Sequence, residues 1–288
     1  MTPKTVFISA DHGLAIVYFL QSDVVPTMIE SGVEVVLLTD EALLDKIQEK
    51  FGRAGLVIES LRLKQARAYF QNERNSQQWW LDFFRRAGAA SRMNLETVDN
   101  YVNWVKTEAP AKRKAIFPAV HGAIAVLRRW QRARQALVLR QHEFTPDIYG
   151  DLYKRYKPDL VVASTAGWRM DRYLLREARA RSVRTAAIVL GWDNPSSHGL
   201  PGSKIDTISC WSEPQKQELI LGSDWAPERI NIGGIPIYDG YFHKQWLMPR
   251  DEYFRLHGLD RIASCSATLA ALSPTLPTSR ISRHWRAW

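Results

Sequence analysis

Three short apolar runs, at residues 5–9, 33–39 and 56–59, alternate with stretches of helical character, and this rhythm constrains the chain more than any other feature. The second run reads Val-Glu-Val-Val-Leu-Leu-Thr, nearly continuous in its apolar residues, as a strand covered on both faces must be. Between the first two lies a helical stretch at 17–31, with a bend expected at Pro26 and a stop at Gly32. Asp40 can cap a further helix over 41–51. Strands joined by helices of this length require right-handed crossovers. The fold class that follows is α/β, with a Rossmann-like parallel sheet.

From residue 61 to about 156 the strand signal is absent, and Gln, Ala, Arg, Leu and Trp dominate. The segment is expected to be a helical insertion after the third strand. Its positions Ala123, Val126, Leu127, Trp130, Ala133 and Leu137 recur at helical steps and predict one amphipathic helix over 123–137. The alternation resumes after Pro158, with strands expected at 160–164, 184–190, 207–211 and 231–234 and helices at 170–180 and 214–221. These elements place one domain over 1–245, with a linker and the first helix of a further domain at 246–260. Residues 261–288 contain neither Asp nor Glu and are rich in Ser, Thr, Ala and Arg, so little drives them to pack and they are expected to be disordered.

Charge is concentrated. Residues 101–140 hold nine basic side chains and one acid, Glu108, which accounts for nearly all of the net charge of +9. Arg128, Arg129 and Arg132 are predicted to lie on or toward the face opposite the apolar positions, with Arg134 near the apolar side. Two readings stay open: a solvated basic face, or a surface that meets anionic lipid or a polyanionic acceptor. No nucleic-acid partner is expected.

The strand-end rule for open parallel sheets locates the chemistry, because ligands sit beyond the carboxyl ends of the strands. It selects Asp11-His12-Gly13 after the first strand and Thr165 to Arg169 after the fourth. It also selects the loop holding Trp192, Asp193, Asn194, Ser196, Ser197 and His198 after the fifth, and Glu213 after the sixth. His12 beside Asp11 suits a general base, or else an exposed ring closing an Asx turn. Asp193 and Asn194 could bind sugar hydroxyls through paired acceptors and donors, or could hold their own turn. Trp192 packs beneath that loop or stacks on a sugar, and Ser212 and Glu213 cap the next helix or touch the ligand.

Other classes fall away. The first turn lacks GxGxxG, and the chain has no P-loop, no GxSxG and no HExxH motif. The histidines have no metal-ligand spacing, and Cys210 and Cys265 form no CxxC or Cys/His cluster, so no metal or cofactor is specified. The opening residues lead straight into a strand, and the most apolar stretch, 115–127, is too short to cross a bilayer. The expected location is the cytoplasm, with a peripheral place at the membrane open.

The runs VLGWDNPSSHG, IDTISCWSEPQKQEL and PERINIGGIPIYDGY, with the opening HGLAIVYFLQSDVVPTMIESGVEVVLLT, are similar to bacterial glycosyltransferase-B proteins of surface-polysaccharide type. These are related to the CDP-glycerol glycerophosphotransferases and, more remotely, to UDP-N-acetylglucosamine 2-epimerases. The resemblance covers residues 5–260 and is strongest over 158–260. It implies two facing Rossmann-like domains, with a nucleotide-activated donor held mainly by the second. On this reading Asp11, His12 and Asp193 are the catalytic candidates. Gly13, Arg169, Trp192, Asn194, Ser196, Ser197, His198 and Glu213 would contact substrate. The run MPRDEYFRLHGLD resembles the linker and first helix of that second domain, but the strand expected next is missing, as a truncation or frameshift would explain. The chain as given is therefore expected not to catalyse glycosyl transfer. The alternative is a non-enzymatic protein that binds an anionic surface through its basic helices.

Overall fold

The computed structural model describes residues 3–72, 76–92, 96–191, 194–244 and 247–259. Seven strands form an all-parallel sheet: β1 (Thr5–Ala10), β2 (Glu34–Thr39), β3 (Leu56–Ser60), β4 (Leu160–Ala163), β5 (Arg184–Ile188), β6 (Thr207–Cys210) and β7 (Ile230–Ile232). Their order is β3-β2-β1-β4-β5-β6-β7, so the winding reverses between β1 and β4. That switch point is where an open α/β sheet leaves a crevice.

Alternation along the strands feeds two cores. Phe7, Val36, Leu38, Val161 and Ala163 face one side with Tyr149, Tyr153, Tyr173, Leu174 and Leu219. Val6, Ile8, Val35 and Leu37 face the other with Ala15, Phe19, Val25 and Ile47. Both faces are thus covered by helices, which is why the strands read as unbroken apolar runs. The predicted elements form with small shifts. The stretch at 17–31 divides into helices Gly13–Leu20 and Val24–Glu30, and 41–51 opens with a 3-10 turn, Glu41–Leu43, capped by Asp40. No helix among the described residues is long and apolar enough to cross a membrane.

The insertion leaves the sheet after β3 and returns before β4, and its neck is stitched shut. The Tyr149 hydroxyl donates to the Leu61 carbonyl at 2.8 Å, while Arg62 bonds both oxygens of Asp151 at 2.7 and 2.6 Å. Inside the insertion Phe83, Ala87, Val98, Val102, Phe117, Val120 and Ile124 form a separate core. The expected single helix over 123–137 is instead two, Phe117–Arg129 and Gln131–Arg140, with extended backbone at Trp130. The break resets the helical phase. Phe117, Val120 and Ile124 face inward, while Ala123, Val126 and Trp130, expected on the buried side, are exposed.

Three buried arginines bind the insertion to the loops beyond the strands. Asp82 accepts from Arg85 Nε at 2.8 Å and from Arg172 at 2.5 Å. Arg85 also donates to the His198 and Leu200 carbonyls at 2.9 and 2.7 Å. Arg172 donates to the Arg169 and Trp168 carbonyls at 2.7 and 3.0 Å, and Arg176 to the Gly202 carbonyl at 2.9 Å. The two loops then close on each other at Gly167 (φ 73°) and Gly202, where an added Cβ on Gly202 would stand 1.8 Å from the Gly167 carbonyl oxygen.

Residues up to His243 make one compact unit, and the helix Arg250–Leu256 belongs to another. The segment expected to be disordered, 261–288, lies outside the described residues. Replacing Asp82 with Asn should lower unfolding stability by roughly 3–5 kcal/mol, because two buried guanidinium groups lose their counter-charge. Denaturant melts of both proteins check this, and a change under about 1 kcal/mol would show that the cluster is not carrying the insertion.

Candidate functional site

The carboxyl ends of β1 and β4 meet at the switch point and bring Asp11, His12, Ser164, Thr165, Arg169 and Asp171 together. Asp11 follows β1 directly, and its side chain is only 2% exposed. A carboxylate so buried needs partners, and it has three. His12 Nδ1 lies 2.5 Å from Oδ1, Arg169 Nε donates to Oδ2 at 2.6 Å, and the Ser164 hydroxyl reaches Oδ1 at 3.3 Å. Burial alone would raise the Asp11 pKa, but the hydrogen bond from His12 and the Arg169 charge outweigh it and hold the group below its ordinary value.

His12 is extended (φ −158°, ψ 164°) and precedes the helix Gly13–Leu20. Its ring is 26% exposed, and with Nδ1 on Asp11 its Nε2 has no partner among the described residues. Arg169 is 49% exposed; with Nε on Asp11, its terminal nitrogens likewise engage none of the described residues. Gly13 is exposed, and a Cβ there would meet nothing within 4 Å. Its smallness therefore leaves open space at the mouth of the crevice, with no backbone strain to relieve.

Asp171 is the residue that reading the strand ends misses. It is fully buried and folds the loop after β4: the Thr165 amide donates to it at 3.1 Å, and the Thr165 hydroxyl lies 3.0 and 2.7 Å from its two oxygens. The Thr165 hydroxyl in turn accepts from the Trp168 amide at 3.0 Å. Burial, then the nearby Asp11 charge, push the Asp171 pKa up to about 7 from 3.8.

The remaining predicted residues divide. Trp192 and Asp193 lie outside the described residues, as does the side chain of Asn194; backbone 194–197 is a single helical turn. Ser197 is buried and its hydroxyl lies 2.8 Å from His198 Nδ1, while the His198 ring packs on Trp168 with centroids 5.0 Å apart. These two join the loops after β4 and β5. Ser196 is half-buried on the same turn. Glu213 opens the helix Glu213–Ser223, where Gln217 donates to it at 2.8 Å, and Ser212 makes no side-chain cap. Glu213 therefore sits as an ordinary first-turn acid. Lys204 precedes β6 and lines a cleft of about 420 Å³ with Glu228 and Arg229, which precede β7.

Among the described residues no cluster of His, Cys, Asp and Glu could hold a metal ion. The chain matches no known family model, and no curated protein matches it either.

The raised Asp171 pKa has a thermodynamic consequence. Between about pH 4 and 7 the folded protein holds a proton that the unfolded chain releases, so this group's contribution to stability falls as pH rises through that window. Asp171→Asn removes the titration. The stability of the wild type relative to this variant should therefore be greatest at or below about pH 4 and smallest above about pH 7. His142, lowered to about 4 mainly by burial, acts in the other direction but is common to both proteins. Melting temperatures across pH check the difference, and a flat difference would rule out a raised Asp171.

Proposed function

We propose that this chain supplies the acceptor side of a glycosyltransferase-B-type site for cell-envelope or capsule polysaccharide, with His12 as the base. The observation that carries the reading is the Asp11-centred array at the switch point. A base that takes a proton from an acceptor hydroxyl needs one open ring nitrogen and a counter-charge behind the ring. His12 has Nε2 open and Asp11 at 2.5 Å on the other nitrogen. Because Asp11 stays ionised, it fixes the tautomer and stabilises the imidazolium that forms. Arg169 leans on the same carboxylate and has terminal nitrogens to offer an anionic group of the acceptor. The sequence runs similar to surface-polysaccharide enzymes supply the substrate class. The opposing domain implied by that resemblance would hold the nucleotide-activated donor, so the proposal covers the acceptor side alone.

Ligand-observed NMR with sugar-terminated and polyol-phosphate acceptors tests it. The wild type should show saturable binding, with Arg169→Ala weakening a phosphate-bearing acceptor about tenfold, the scale of one charge-assisted hydrogen bond. His12→Ala should lower the affinity of both acceptor types. Absence of saturable binding, or binding indifferent to both substitutions, would remove the reading.

A further inference from the structure

We propose that the helical insertion docks on an anionic lipid surface through the outward arc of the helix Phe117–Arg129. Only Phe117, Val120 and Ile124 of this helix are buried. The rest of the arc, with the two residues before it, is exposed at 115, 116, 118, 119, 121, 122, 123, 125 and 126, and none of these nine residues is Asp, Glu, Lys or Arg. A surface helix of a globular protein ordinarily carries charged and polar residues on that face. Here Ile116 and Val126 are each 44% exposed.

The ends of the arc differ from its middle. Exposed Lys114 precedes it, and exposed Arg129, Trp130 and Arg132 follow it, with Trp130 59% exposed. In helical projection Arg129 continues the outward arc, whereas Arg128 turns inward, where it donates to the Ala87 carbonyl at 3.0 Å and pairs with Asp99 at 2.7 Å. An apolar strip with cations and Trp at its ends matches the profile of an interfacial helix, its apolar face among acyl chains and its cations among headgroup phosphates. Thirteen residues give a helix of about 20 Å, against the roughly 30 Å hydrocarbon core, so it would lie in the plane of the membrane.

Charge selects this occupant over a second copy of the chain. The cations at the ends of the arc, Lys114, Arg129 and Arg132, are exposed, so self-association through it would press like charges together, whereas an anionic leaflet complements them.

Co-sedimentation of the full chain with vesicles tests the inference. Mixed phosphatidylcholine–phosphatidylglycerol vesicles should bind it in a salt-sensitive manner, and phosphatidylcholine alone only weakly. Arg129→Gln and Arg132→Gln should each reduce partitioning about fivefold, the factor corresponding to about 1 kcal/mol per surface cation. Val126→Glu should reduce it about tenfold or more, and Trp emission should shift to the blue only in anionic vesicles. All three positions are exposed, so an unchanged melting temperature separates lost docking from lost folding. Partitioning indifferent to lipid charge and to Val126→Glu would overturn the inference. So would a stable dimer that Val126→Glu dissociates, since the arc would then belong to a protein contact.

Discussion

The carboxylate of Asp82, placed between two buried guanidinium groups, is the interaction on which the working end of this molecule depends. Arg85 and Arg172 come from segments about 90 residues apart, and each spends its remaining donors on carbonyls of a strand-end loop. Those loops have no strand to satisfy their backbones, and buried carbonyls without partners would be costly. The guanidinium is suited to this task because its planar fork can serve one carboxylate and two carbonyls together. Three arginines near one aspartate would repel one another. Arg176, whose pKa falls to about 9 through burial and then the Arg172 charge, shows how close to its limit the cluster is.

The position of the candidate base follows from that cluster. Arg172 holds the Arg169 carbonyl, the Arg169 side chain reaches Asp11, and Asp11 orients His12. Each step is a charge-assisted hydrogen bond of 2.5–2.7 Å, a short and directional type. The insertion therefore does more than decorate the sheet. By supplying Asp82 it fixes the helix start that places Arg169 beside the first strand.

What could be read in advance was governed by how local the determining interactions are. The parallel sheet was legible because strands buried on both faces must be apolar throughout, a property each segment carries alone. The strand-end rule reached Asp11, His12, Gly13 and Arg169 without any knowledge of contacts. Asp82, Arg85 and Asp171 left no such mark. Nothing in the local pattern around Asp82, Arg85 or Asp171 marks them out, because their partners are set by tertiary packing. The phase of the helix over 117–129 was misread for a related reason. Trp130 continues a helical apolar pattern, yet the backbone there is extended, so a single count over 123–137 puts Ala123, Val126 and Trp130 on a buried face although they are exposed. The basic block similarly mixes roles: Arg134 is buried against Asp224 at 2.6 Å and Arg128 is tied down, leaving Arg129 and Arg132 exposed.

Two buried carboxylates separated by the switch point show why a perturbed pKa alone does not identify a catalytic group. Asp171 has the raised pKa that a general acid would want, while Asp11 is held ionised. Yet Asp171 is fully buried, and both its oxygens are occupied by Thr165, so no ligand can reach it. Its shift is the cost of closing a loop in a low-dielectric site next to another negative charge. Asp11 is almost as buried, but its partners include the partly exposed ring of His12 and the exposed Arg169. Charge at Asp11 is thereby conveyed to atoms that solvent, and so a ligand, can touch. Access through those partners, more than the size of either shift, makes the Asp11 side of the pair the one suited to chemistry.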